Sequence, residues 1–149
     1  MRRRTVLALP AFALVRPAGA ATLPAPASLA DELAGALARG QPLLVMASLH
    51  GCPYCRLVRD SFLAPLRQET GQPVVQLDFG QHGRVLGFDG RPSTHDALLK
   101  GWGIRVAPTV LFFGRGGREV AERLVGAAIP DFYGAYLQER LQVARKSLS

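Results

Sequence analysis

The sequence predicts a mixed α/β domain in which one central sheet, a βαβ unit followed by a ββα unit, is flanked by helices. Three observations carry that expectation. Short apolar runs at 43–47, 74–79 and 109–113 alternate with segments whose apolar residues recur at helical spacing. Glycines and prolines punctuate the junctions between them. The only two cysteines of the 149 residues, Cys52 and Cys55, stand where an apolar run passes into helix-compatible sequence.

Ser28 can cap a first helix with Leu29, Leu33, Ala36 and Leu37 at helical spacing, and Gly40 supplies its stop. A buried strand follows at 43–47. A second helix begins at the dithiol with Leu57, Val58, Phe62 and Leu66 on one face, and Pro65 should kink or split it. Residues 74–79 are apolar enough for a central strand covered on both faces. Residues 80–92, rich in glycine with Val85, Leu86 and Phe88 between turn signals, read as an inserted loop or short hairpin, in which Asp89 and Arg91 supply turn chemistry. Ser93 is expected to cap a short helix over 94–100 that Gly101-Trp102-Gly103 ends. A strand at 109–113, a tight turn at Gly116-Gly117 and a returning strand at 119–125 form a hairpin. Pro130 opens a closing helix whose Phe132, Tyr133, Tyr136, Leu137 and Leu141 are read as its apolar stripe.

The start of the chain has a different character. Arg2, Arg3 and Arg4 precede an apolar segment over residues 5–15, and Ala18-Gly19-Ala20 offers small residues where a signal peptidase reads them, the pattern of a secretory signal peptide. The segment falls short of the roughly 20 residues a spanning helix needs, and Pro10 interrupts it. Residues 1–20 are therefore expected to be removed, 21–27 with Pro24 and Pro26 to form an extended linker, and 28–146 to form the domain. Arg3-Arg4 followed by Val6-Leu7 also resembles a twin-arginine export signal, so the export route stays open. Four of the 18 basic residues lie in the leader with no acid, leaving 14 against 11 acidic residues, a net charge of +3. The remaining arginines, from Arg39 to Arg145, are spread along every element rather than clustered with aromatics, which argues against nucleic-acid binding. The expectation is a soluble, monomeric protein of the periplasm, where disulfides persist.

Cys52-Pro53-Tyr54-Cys55 carries the chemistry. At a helix N-cap, the Cys52 sulfur would face unpaired backbone N–H groups and the positive end of the helix dipole, which favour a thiolate and make Cys52 the nucleophile. Cys55, one helical turn inward, is placed to resolve the resulting mixed disulfide. Pro53 suits the first helical turn because it has no N–H to lose. A structural disulfide would close too short a loop to stabilise much. A zinc clip would need four ligands, and only His50 lies near the pair, with His82 and His95 in separate segments. Two thiolates could also hold a soft ion such as Cu(I) in a non-enzymatic carrier. His50 is read either as a positive neighbour of Cys52 or as an exposed loop histidine.

The order of elements, the dithiol after the first strand, and Ala107-Pro108-Thr109-Val110-Leu111-Phe112-Phe113 with its Gly turn and Leu124-Val125-Gly126-Ala127 together resemble thioredoxin over residues 28–142. Within that superfamily the chain looks most like exported bacterial thioredoxins of the SoxW type. The resemblance implies a thioredoxin-like fold, a protein-disulfide reductase acting on protein disulfide substrates, a membrane electron donor as partner, and no cofactor or metal beyond the Cys52–Cys55 disulfide. It also implies that Pro108 is cis and lies beside the dithiol, that the backbone of Ala107 pairs with the substrate chain, and that Tyr54 and Trp102 line the substrate groove; Trp102 reads equally as packing. The Pro-Tyr dipeptide is shared with glutaredoxins, which leaves a glutathione-dependent reductase as an alternative. Two departures stand out: thioredoxin has Trp where this chain has Gly51 after His50, and Met46 occupies the position of thioredoxin's buried acid.

Overall fold

The computed structural model describes residues 22–149, so the signal-peptide reading of residues 1–20 lies outside the described residues. The elements are α1 (Leu29–Ala38), β1 (Leu43–Ser48), α2 (Pro53–Val58), α3 (Ala64–Thr70), β2 (Val74–Asp78), β3 (Arg84–Leu86), β4 (Pro92–Thr94), α4 (His95–Gly101), β5 (Thr109–Gly114), β6 (Arg118–Val125) and α5 (Pro130–Lys146). The main sheet has the order β2-β1-β5-β6, with β1 parallel to β2 and antiparallel to β5, and β5 antiparallel to β6. This is the mixed α/β architecture, sheet between helices, that the alternation of patterns predicts.

Strand alternation sorts the core into two layers. Leu44 and Met46 of β1 and Val110 and Phe112 of β5 pack with Cys55, Val58, Leu63, Tyr133, Leu137 and Leu141, under α2, α3 and α5. Leu43, Val45, Ala47, Leu111 and Phe113 face the other way, onto Leu29, Leu33, Leu99 and Ile104 of α1, α4 and the loop after it. Every residue of β1 and β5 is buried, as central strands require. Their continuous apolar runs follow from that double coverage.

The local signals act as their chemistry dictates, with three shifts. Ser28 caps α1, accepting from the Asp31 N–H at 3.2 Å. Pro65 does split its helix: a single π turn, Arg59–Leu63, absorbs the missing N–H, with the Ala64 N–H reaching back to the Arg59 carbonyl before α3 begins. Residues 80–92 contain most of a hairpin, β3 on β4, that stands off the main sheet; Asp89 accepts from the Arg91 N–H at 2.9 Å in its turn. The cap of α4 is Thr94 rather than Ser93, because Ser93 is taken up in β4 opposite Val85. In α5 the buried stripe is Tyr133, Leu137, Leu141 and Ala144, while Phe132 and Tyr136 are 60% and 44% exposed; the helix offers the sheet only an i, i+4, i+8 stripe. Finally, residues 22–28 are extended but held in place: the Gln76 N–H donates to the Pro24 carbonyl, the Leu86 N–H to the Ala27 carbonyl, and Leu23 is buried, so this stretch covers the outer edge of β2. The turn between β5 and β6 requires glycine twice, since Gly116 and Gly117 both have positive φ and a Cβ on Gly117 would lie 2.7 Å from Phe88.

Candidate functional site

The site is built where β1 ends. Its strand carries the chain to Ser48, and Gly51, at φ 75°, turns it so that Cys52 becomes the N-cap of α2 with Pro53 in the first turn. The Cys55 N–H then donates to the Cys52 Sγ at 3.2 Å, and the Cys52 N–H donates to the Leu49 carbonyl. An N-cap sulfur thus replaces the usual hydroxyl or carboxylate, and it collects a backbone donor able to stabilise negative charge developing there. Both cysteines are in the thiol form, Cys52 half-buried and Cys55 buried. Burial, reinforced by the Cys52 sulfur, pushes the Cys55 thiol up to about 11. Hydrogen bonding to the Leu49 backbone and, less strongly, to the Ser48 side chain acts in the opposite direction.

The loop before β5 brings a second wall to the sulfur. The Ala107–Pro108 peptide is cis, and the Cys52 thiol lies 3.9 Å from the Ala107 carbonyl. Thr109 holds this loop by donating its hydroxyl to the Val106 carbonyl at 2.6 Å, while the Gly126 N–H donates to the Pro108 carbonyl at 2.7 Å. Tyr54, Val106, Ala107 and Pro108, with Gly126, Ala127 and Ala128, line one apolar groove of about 310 Å³. Three of the residues singled out from the sequence, Tyr54, Ala107 and Pro108, therefore meet beside Cys52. Trp102 does not line this groove: its ring packs 5.0 Å from Phe113 and 5.9 Å from Phe88, on the other layer of the core.

On the opposite side of Cys52 a polar cleft of about 460 Å³ opens between α2 and the end of β2. Ser48, His50, Arg56, Arg59, Gln76, Asp78 and Gln81 contribute to its walls. The apolar character of 74–79 does not reveal this cleft; the alternation of Gln76 and Asp78 with Val75 and Leu77 is the sequence signal for it. Met46 is fully buried in the same core layer as Cys55 and is the register partner of Gln76, so a methionine and an amide lie side by side beneath the helix that bears the dithiol. Among the described residues, no group of three or more His, Cys, Asp or Glu side chains is close enough to hold a metal ion, and no helix is long and apolar enough to cross a membrane.

A family model described as a thioredoxin-like domain matches residues 29–140. The fold is similar to that of mitochondrial thioredoxin 3 from Saccharomyces cerevisiae in its oxidised form, at 15% identity and a TM-score of 0.51, over 80% of this chain and 93% of that one. It is also similar to a mutant thioredoxin from Halobacterium salinarum, at 20% identity and a TM-score of 0.50, over 83% and 95% of the two chains. No curated protein matches the sequence.

Proposed function

We propose that this chain, which belongs to the thioredoxin-like family, is an exported thiol–disulfide oxidoreductase that reduces protein disulfides through Cys52 and Cys55. One observation carries the reading: a half-buried N-cap sulfur with a backbone donor at 3.2 Å lies against the Ala107 carbonyl, while a buried thiol waits one turn behind it.

In the reaction the Cys52 thiolate attacks one sulfur of a substrate disulfide. A Cys52–substrate bond forms, the substrate S–S bond breaks, and its second sulfur leaves as a thiolate. Cys55 then loses its proton and attacks the Cys52 Sγ, expelling the substrate's first sulfur. The substrate has gained two electrons, the two protein thiols have become a disulfide, and their protons end on the released thiols. A dithiol donor, for which a membrane protein of the thiol-reducing pathway is the proposed source, restores the starting state. Extended substrate backbone fits the Ala107 edge, and the apolar groove of Tyr54 and Pro108 accommodates the side chains beside the substrate cysteine. The leader pattern supports export to the periplasm, and the Cys-Pro-Tyr-Cys pair supports likeness to the SoxW type.

Reduction of a model protein disulfide by the dithiol form, with the equilibrium potential of the Cys52–Cys55 pair measured in parallel, tests this reading. Turnover that disappears in Cys52→Ser is the expected result. Undiminished turnover in that variant, or tight stoichiometric Cu(I) binding with no turnover at all, would overturn it.

A further inference from the structure

The polar cleft beside Cys52 is not explained by the reduction of extended protein chains, whose fit lies on the apolar side. Its walls carry a specific charge pattern. Arg56 and Arg59 stand three residues apart across the junction of α2 with the π turn, which puts them on neighbouring ground of one helical face. Arg59 engages Asp60 through its Nε at 3.0 Å, whereas Arg56 makes no ion pair among the described residues. Across the cleft, Asp78 Oδ1 accepts from Gln76 Nε2 at 2.8 Å. That bond sets the amide orientation, because the reverse would press two oxygens together. Gln76 Oε1 is left buried without a hydrogen-bond partner. The cleft thus offers guanidinium groups on its helix wall and a carboxylate on its strand wall, both next to the Cys52 sulfur.

A complementary ligand carries a carboxylate and an ammonium close together and a disulfide a few bonds away. We propose that the cleft binds small zwitterionic disulfides of the amino-acid type, such as cystine or the disulfide of a short cysteine peptide, with the carboxylate on Arg56 and Arg59 and the ammonium on Asp78. This rests on the reading of Cys52 as nucleophile and names a second substrate class for it. A volume of about 460 Å³ lies within the ordinary range of small-molecule sites, roughly 300–1,000 Å³. The chemistry balances as before: Cys52 thiolate forms a bond to one half-cystine, the other leaves as cysteine thiolate, and Cys55 then displaces the first. One cystine becomes two cysteines, and the protein dithiol becomes a disulfide.

The test compares a series of small disulfides on the unaltered protein and on two cleft variants. Reduced protein is mixed in excess with cystine, with cystamine, which lacks the carboxylates, with dithiodipropionate, which lacks the ammonium groups, and with uncharged 2-hydroxyethyl disulfide. Thiol loss is followed, and each rate is divided by that of a free small thiol with the same disulfide. The normalised rate for cystine is expected to exceed all three others by about tenfold, and the ratio of cystine to hydroxyethyl disulfide should fall at least about threefold in Arg56→Gln and in Asp78→Asn. Equal normalised rates across the series would overturn the cleft as a binding site, and preference for either singly functional analogue would overturn its zwitterionic character. If hydroxyethyl disulfide and a protein disulfide are also left unreduced, the failure lies with the oxidoreductase reading itself.

Discussion

Cys52 separates two unlike surfaces. Toward β5 lies the groove of Tyr54, Val106, Ala107 and Pro108, apolar and bordered by the Ala107 carbonyl; toward β2 lies the cleft of Arg56, Arg59, Gln76 and Asp78, charged on both walls. Under the proposed function the first would read backbone and accept many side chains, because a main-chain edge and apolar wall impose little on the sequence presented to them. The second would read end groups, because charges of both signs line its walls and suit few ligands. One sulfur can therefore serve a tolerant side and a selective side without any change in its own chemistry.

The largest effect should come from a residue both sides share. Cys55→Ser leaves the mixed disulfide unresolved whichever surface delivered the substrate, and turnover should fall on the order of a hundredfold or more for protein and small disulfides alike, with the Cys52 adduct visible by mass spectrometry. A loss confined to one substrate class would show that the two surfaces do not use a common resolving step.

The acidity of Cys55 sharpens the same point. Burial keeps Cys55 largely protonated at neutral pH, so resolution should accelerate with rising pH, by up to about tenfold per unit while the thiol form predominates, in single-turnover measurements with either substrate class. The sign for stability is opposite. A thiol raised from 9.0 to about 11 on folding stabilises the reduced protein fully below pH 9, and that contribution, on the order of 2 kcal/mol, is lost as pH rises through 11. Denaturant midpoints of the reduced protein at pH 8 and 11, against Cys55→Ala, measure it.

A smaller effect distinguishes the two sides directly. Tyr54 is 56% exposed on the groove, so Tyr54→Ala should raise KM for a protein disulfide by about tenfold through lost contact, with little change in stability. The rate with cystine should change much less; equal losses would merge the two surfaces into one site. The smallest change lies behind the groove. The Tyr133 hydroxyl is buried with no partner, and that burial pushes its ionisation upward. Tyr133→Phe should stabilise the fold by about 1 kcal/mol in denaturant titrations, leaving turnover in place.

Much of the groove was legible in the chain. A strand run into Cys-Pro-Tyr-Cys, followed at a distance by Ala-Pro-Thr opening another apolar run, ties local chemistry to a recognisable order of elements, and the fold then brings those segments together. The cleft was not legible. Gln76 and Asp78 look like polar interruptions of a strand until β2 is laid parallel to β1, which sets Gln76 beside Met46 and Asp78 beside Ser48. Trp102 illustrates the same limit: its place near a helix end allowed a groove role or packing, and its neighbours Phe88 and Phe113 come from the hairpin turn and β5, far apart in the chain. The exposed Phe132 and Tyr136 of α5 belong here too, because periodicity marks an apolar face but not how wide a strip of it the sheet will cover.

By itself the sequence determined the element types, the two-layer core and the close cysteine pair at a helix start, since periodicity, caps and a thiol spacing of one helical turn are local properties that no partner need supply. Only the tertiary structure decided what surrounds that pair: which carbonyl meets the Cys52 sulfur, how deeply Cys55 is desolvated, and which charges face each other across the cleft. Those depend on strand register and on loops that approach from distant parts of the chain, and electrostatics and desolvation act through space rather than along the sequence.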